Sequence, residues 1–253
     1  MEKRGPAFYW LSLFFALFVL FLYGPIVTIG ILSFQGPNGG LTFPMNGVSL
    51  HWFYDLFEQQ AVGDIWGAFR RSLLLGLIVM SITVVLSVMG GLAFRKAFRG
   101  SSLVFYLVIA SIIIPSILIS LGVGLIFNIL GLPVHWATSG LGSQLTWTLP
   151  FGLLIMFAVF NRFDKSYEEA GRDLGATPWQ TVRHVVLPII APSLIGVALF
   201  GFTLSYDEFA RTLLTSGSYT TLPLEIFGMT TNVTTPVLYA LGTLTTLFSF
   251  VII

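Results

Sequence analysis

Apolar residues in this chain fall in long unbroken runs, without the alternating or 3.6-periodic stripes of a water-facing domain. A bilayer core of about 30 Å needs roughly 20 apolar residues in helical form. Six stretches approach or exceed that length: Phe8–Phe34, Ser72–Phe94, Leu103–Leu130, Leu145–Phe160, Ile189–Leu214 and Val237–Ile253. The pattern predicts an all-α membrane protein with six transmembrane helices. The first stretch is longer than a signal-peptide core of roughly 7–15 residues and no A-x-A site follows it, so a retained helix is expected. Pro115 and Pro150 lie inside the third and fourth stretches, where a kink is expected. Gly36-Pro37-Asn38-Gly39-Gly40 is turn chemistry, and Leu50–Phe57 after it has the look of a short interfacial helix. The last stretch runs to Ile253 without a polar tail, which suggests that a few residues follow it.

Composition changes little in that picture. The chain is 55% apolar and 9% charged, where a soluble domain carries roughly a quarter charged residues. A net charge of +1 implies no polyanion partner, so nucleic acid is not expected. The absence of cysteine rules out disulfides, thiolate metal sites and cysteine nucleophiles.

Charge placement orients the helices. With the N-terminus cytoplasmic, the inner segments hold Lys3, Arg4, Arg95, Lys96, Arg99, Arg162, Lys165, Arg172 and Arg183, nine of the twelve basic residues. Arg70 and Arg71 dissent on the outer side, and Arg211 falls near the end of the fifth stretch. The segment Pro133–Gln144 carries no formal charge, as suits an outer loop. Trp10, Trp136 and Trp147 fall near the expected ends of spans, at headgroup level, whereas Trp179 lies in the largest inner loop.

That loop, residues 161–188, holds most of the charge density. Ser166-Tyr167-Glu168-Glu169 reads as a capping box in which Ser166 caps a helix and Glu169 reaches back. Gly175 can supply a left-handed stop. Thr177-Pro178-Trp179-Gln180 repeats the signal with proline at the first helical position, and Pro188 is expected to kink or end that second helix. Physics alone leaves open whether this helix–turn–helix is a connector or a docking element.

Resemblance narrows the choice. Glu169-Ala170-Gly171-Arg172-Asp173-Leu174-Gly175, then nine residues, then Val185-Val186-Leu187-Pro188, resembles the signature loop of ABC importer permeases: E-A-A, three residues, G, nine residues, I, any residue, L-P. Gly171 replaces the second alanine and Val185 the isoleucine. The likeness runs from the second stretch to the last, making 72–253 a five-helix core, 1–34 an additional helix, 161–188 a coupling loop and 1–253 one permease domain of the type I importer fold. It implies that Glu168, Glu169, Ala170, Gly171, Asp173, Leu174 and Gly175 meet an ATPase subunit. Gly171 and Gly175, four apart, would share one helical face there. Glu169 could serve equally as a capping carboxylate. No G-x-x-x-x-G-K-[ST] phosphate loop is present, so the chain itself is expected to hold no cofactor. ATP and magnesium would be bound by two partner ATPases. The other implied partners are a second, homologous permease chain, an external solute-binding protein and membrane lipid, all in a bacterial inner membrane.

Ionisable residues inside spans are candidate functional residues, because burying them is costly. The dense cluster is Tyr206, Asp207, Glu208 and Arg211 in the outer half of the fifth stretch. On a helix the two acids would point about 100° apart, and Asp207 and Arg211 would be positioned to pair. This cluster with Thr221-Leu222-Pro223 resembles permeases of the spermidine/putrescine group, which implies an organic amine substrate held by carboxylates and aromatic faces. Arg211 opposes a polycation and would instead suit a zwitterion such as 4-aminobutyrate, gripping its carboxylate. Rival classes lack their motifs: His51, His135 and His184 are isolated with no H-E-x-x-H, no G-x-S-x-G elbow occurs, and nothing resembles a channel filter.

Overall fold

The computed structural model describes residues 5–58, 63–96, 98–232 and 235–252. In chain order the helices are α1 (Pro6–Leu32), α2 (His51–Glu58), α3 (Ile65–Phe94), α4 (Ser101–Ile113), α5 (Ser116–Ile129), α6 (Leu141–Arg162), α7 (Ser166–Asp173), α8 (Pro178–Thr181), α9 (Leu187–Tyr206), α10 (Leu222–Asn232) and α11 (Val237–Ile252). Wide π-helical turns at Trp136–Gly140 and Val182–Val186 lead into α6 and α9. Among the described residues the β-structure is limited to a single bridge between Gln35 and Val48.

Among the described residues, four helical segments are long and apolar enough to cross a membrane: Pro6–Leu32, Ile65–Phe94, Trp136–Arg162 and Pro178–Tyr206. A fifth exists if α4 and α5, bent by 109° at Pro115, are counted as one span. Proline cannot donate to the helix ladder and disfavours a helical residue before it; Ile114 accordingly turns extended, with ψ 129°. The break is therefore much sharper than a kink. The sixth expected span, α11, is apolar but has 16 residues, short of the roughly 20 a straight crossing needs. Pro150, by contrast, sits within continuous α6. The neutral outer loop is shorter than expected, because helical structure already begins at Trp136.

The chain forms two compact units, one of residues 64–225 and one of residues 1–63 with 226–253. In the first, α3 packs along α6 and α9, α6 packs on α9, and α4 and α5 lie against α6. The buried stripe of α3 runs from Ile65 through Ala68, Ser72, Leu75, Gly76, Val79, Thr83 and Ser87 to Gly91, mostly small residues at helical spacing. Where lipid removes the hydrophobic drive between helices, close approach of small residues is what holds them. The approach is tight: a Cβ on Gly152 of α6 would lie 2.2 Å from Ser87 Oγ, and one on Gly91 would lie 2.7 Å from the Phe160 ring. Thr83 Oγ1 donates to Thr148 Oγ1 at 2.9 Å across the same seam. Towards the loop end, Met156, Phe160, Val186, Ile190 and Val197 form the apolar core.

In the second unit α11 packs on α1 and α2. Gln35, fully buried, donates to the Gly40 carbonyl at 3.1 Å and accepts the Asn46 N–H at 2.8 Å, tying up the Gly36–Gly40 turn. Tyr239 of α11 donates to the Leu41 carbonyl at 2.7 Å.

Candidate functional site

After α6 the chain turns extended at Phe163, and the Asp164 carboxylate accepts the Ser166 N–H at 2.9 Å. The backbone N–H and hydroxyl of Ser166 hold Asp164 below the usual carboxylate range. The expected capping box of Ser166 and Glu169 does not form, and no side chain caps α7 at Lys165. Asp164, two residues upstream, takes the free amide first. The end of α7 follows expectation: Gly175 adopts φ +84°, its N–H reaches the Arg172 carbonyl at 2.8 Å, and the Ala176 N–H reaches Gly171 at 3.1 Å. The second capping box forms as read, with Gln180 N–H donating to Thr177 Oγ1 at 3.3 Å and Thr177 N–H to Gln180 Oε1 at 2.8 Å. Pro188 does not end the helix, which is continuous over Pro178–Tyr206. A proline ring collides with the carbonyl four residues back, here His184, and that carbonyl lies in the π-helical turn Val182–Val186, where the coil is wider.

The loop residues divide between two faces. Glu168 turns inward: its carboxylate meets Arg95, the residue closing α3, and lies 3.6 Å from Arg172. The Arg95 guanidinium also stacks over Phe160 and Phe163, at 5.2 and 5.5 Å. Gly171 turns inward as well, its Cβ position 3.5 Å from Val185. Gly175 lies beyond the end of α7, so the two glycines do not share an outer helical face as expected. Glu169, Ala170, Asp173 and Leu174 point outward. Leu174 is 90% exposed, and on the same loop Trp179 is 67% and Tyr167 54% exposed. Tyr167 was not singled out in the sequence, and Trp179 stood out there only as a tryptophan away from any span end. Such an exposed apolar set on a charged loop suits binding of another protein surface.

The outer cluster departs further from expectation. The fifth stretch is not helical to Leu214: α9 stops at Tyr206, Asp207 closes it, and 207–216 form a series of turns. Asp207 and Arg211 therefore are not one helical turn apart, and no ion pair joins them among the described residues. Asp207 is exposed. Tyr206 is buried, stacked on Phe202 at 5.6 Å and edge-on to Phe69 at 6.4 Å. Glu208 accepts the Arg211 N–H at 2.9 Å. Arg211 itself is 0% exposed. Its guanidinium donates to Thr146 Oγ1 and lies 5.3 Å over the Trp147 ring. Trp147 is thus half-buried and lies well within the Trp136–Arg162 span, not at its end. Ser143 Oγ donates to the Arg211 carbonyl at 2.9 Å, Ser139 Oγ to the Thr215 carbonyl at 2.8 Å, and the Leu214 N–H to Ser120 Oγ at 2.9 Å. Side chains of α5, of α6 and of the turn before α6 thus meet backbone groups of the broken turn, as non-helical backbone at membrane depth demands, while Arg211 Nε and Nη2 are buried with no hydrogen-bond partner among the described residues.

The Thr221-Leu222-Pro223 segment is held in the same way. Arg71 donates to the Thr220 carbonyl at 2.7 Å, pairs with Asp64 at 2.9 Å and covers the Tyr219 ring at 5.8 Å. The Leu222 N–H donates to Ser72 Oγ at 2.8 Å. Arg71, anomalous for orientation, has a local structural use.

A family model described as binding-protein-dependent transport system inner membrane component matches residues 83–253, a span that includes both the loop and the broken turn. The chain belongs to that family. It is therefore a permease of an ABC-type import system, resident in the inner membrane, with ATP hydrolysed by a separate subunit. The permease is 29% identical over 240 residues to the spermidine/putrescine transport system permease protein PotC of Haemophilus influenzae, covering 92% of this chain and 89% of that one. It is 28% identical over 249 residues to the putrescine transport system permease protein PotI of Escherichia coli K12, covering 95% and 86%. A putative 2-aminoethylphosphonate permease, PhnV of Salmonella paratyphi A, is 28% identical over 225 residues, covering 85% and 80%. In fold the permease resembles a chain of a bacterial ABC transporter that imports the acidic polysaccharide alginate, with TM-score 0.72 at 16% identity, covering 99% of this chain and 94% of that one.

Proposed function

We propose that this permease carries a small organic amine, a polyamine such as putrescine or spermidine, with Asp207 as the carboxylate that meets it. The observation that carries this reading is the similarity, over at least nine-tenths of the chain, to permeases named for spermidine and putrescine. The exposed position of Asp207 at the end of α9 supports it, because an ammonium group needs an accessible anion. Tyr206, Glu208 and Arg211 then frame the path from behind. A zwitterion such as 4-aminobutyrate is the second reading, favoured by the cation at Arg211. Against it stands the full burial of Arg211; only Nη1 of its guanidinium bonds Thr146, and Nε and Nη2 have no hydrogen-bond partner among the described residues.

In the same reading α7 docks on an ATPase through Glu169, Ala170, Asp173, Leu174 and Gly175, with Tyr167 and Trp179 extending the surface. Glu168 and Gly171 hold the loop to the membrane helices instead. The assembly would comprise two ATPases, a second homologous permease and an external solute-binding protein. This chain would contribute six membrane passes from a cytoplasmic N-terminus. Rigid closure of the ATPases would then switch the pore between its two faces.

The test is to co-purify the complex with its ATPase and binding protein, then measure ATP hydrolysis with putrescine, spermidine and 4-aminobutyrate. Stimulation by the diamine or polyamine supports the reading, and Asp207→Asn should then reduce it while assembly survives. Stimulation by the zwitterion alone would replace the substrate assignment. Failure of any ATPase to associate would remove the coupling assignment.

A further inference from the structure

Where α3 and α6 end, two cavities share Arg95 and Lys165 in their walls. The first, about 330 Å³, is charged: Arg95, Lys96, Lys165 and Arg172 line it with the carboxylates Glu168 and Glu169. The second, about 640 Å³, is largely apolar, walled by Phe94, Phe105, Leu154, Phe157 and Ala158. Their depth follows from the helices. Phe94 and Arg162 are the last residues of two membrane-length spans, and Arg95 and Lys165 come just after them. The charged cavity thus begins where the apolar spans stop, and the apolar one flanks their final turns.

Charge decides what fits the charged end. Four cations face two carboxylates in its wall; Glu168 is committed to Arg95 and Arg172, and the exposed Glu169 offsets part of what is left, so the wall keeps a net positive charge. Lys96 and Lys165 are exposed and make no ion pair among the described residues. Lys165 lines both cavities and Lys96 only the charged one, so one spare ammonium group stands at the junction with the apolar slot and a second in the charged cavity beside it; together they call for a ligand with an anion at one end and hydrocarbon at the other. Basic pockets at the ends of membrane helices meet that description in phospholipid headgroups. A free phosphate, or an acidic side chain of a docked subunit, would neutralise the lysines and leave the aromatic slot unfilled.

We propose that this double cavity binds an anionic phospholipid, its phosphate on Lys96 and Lys165 and one acyl chain along Phe94, Phe105 and Phe157. The lipid would fasten the ends of α3 and α6 to the base of α7.

Native mass spectrometry of the full complex, extracted into mild detergent and offered equal phosphatidylglycerol and phosphatidylcholine, tests this. Phosphatidylglycerol should be retained in excess, and the excess should fall roughly fivefold for each lysine removed in Lys96→Gln and Lys165→Gln. These substitutions leave the Arg95–Glu168 pair in place, and normal assembly confirms that the fold survives. Equal retention of the two lipids, or an excess unchanged in the double variant, overturns the proposal. Displacement by millimolar glycerol phosphate as readily as by lipid would make this a chainless phosphate site, and overturns it too. So would phosphatidylglycerol that binds the permease alone and leaves once the ATPase is bound, which would assign the lysines to that subunit.

Discussion

The Arg95 guanidinium at the end of α3 grips the Glu168 carboxylate of α7 across 73 positions of chain, both side chains largely shielded from water. The pair fixes the loop to a membrane helix, and the aromatic faces of Phe160 and Phe163 enclose the cation. Removing one partner of such a pair leaves a shielded charge without its hydrogen bond, which costs about 1–3 kcal/mol. Glu168→Gln should therefore lower the thermal stability of the purified permease by that order. It should also weaken ATPase coupling, although Glu168 does not face the proposed docking surface. Unfolding followed by intrinsic fluorescence, with hydrolysis in the assembled complex, checks both.

Gly171 and Gly175 should respond oppositely to alanine. At Gly171 the new Cβ would meet Val185 at 3.5 Å, ordinary contact, and helix propensity favours alanine by about 0.5–1 kcal/mol. Gly171→Ala should keep transport and slightly raise stability. At Gly175, with φ +84°, alanine is strained by roughly 1–2 kcal/mol. A melting comparison of the two single variants separates them.

Gly152→Val should destabilise strongly. Already a Cβ there would lie 2.2 Å from Ser87 Oγ and 2.9 Å from Thr83 Cγ2, so α3 and α6 would have to part. Overpacking of this kind costs about 1–3 kcal/mol. Reduced yield of folded protein in detergent, seen by size-exclusion chromatography, is the expected readout.

Arg211→Lys should fail to replace arginine. Trp147 and Thr146 receive a flat guanidinium, and an ammonium offers neither the same stacking nor the same fork. A loss of about 1–2 kcal/mol in stability is expected, with transport reduced because the 207–216 turn loosens. If uptake and melting both stay at the parental level, Arg211 does not hold this turn.

Local signals in the sequence were legible where one short segment decides the outcome. Thr177 and Gln180 sit three apart and cap each other, as the spacing requires, and the Pro115 interruption appeared where proline forbids the ladder. The Ser166 box failed for an equally local reason, since Asp164 offers a charged acceptor nearer the free amide. The end of the fifth span was not legible. Leu213 and Leu214 read as membrane, yet the chain there is bonded through Ser120, Ser139 and Ser143, more than sixty positions upstream. Hydropathy registers how apolar a residue is and carries no record of which distant hydroxyl will satisfy its backbone. The inward turn of Glu168 was hidden for the same reason, because its partner belongs to another helix.

Because the π-helical turn lets the chain pass Pro188 unbroken, Pro178–Tyr206 is one helix of 29 residues, about 43 Å from end to end. The second half of the loop is thus one end of the same helix that Asp207 closes at the other. In the proposed docking, a displacement of Trp179 would therefore bear on Asp207 through continuous helix.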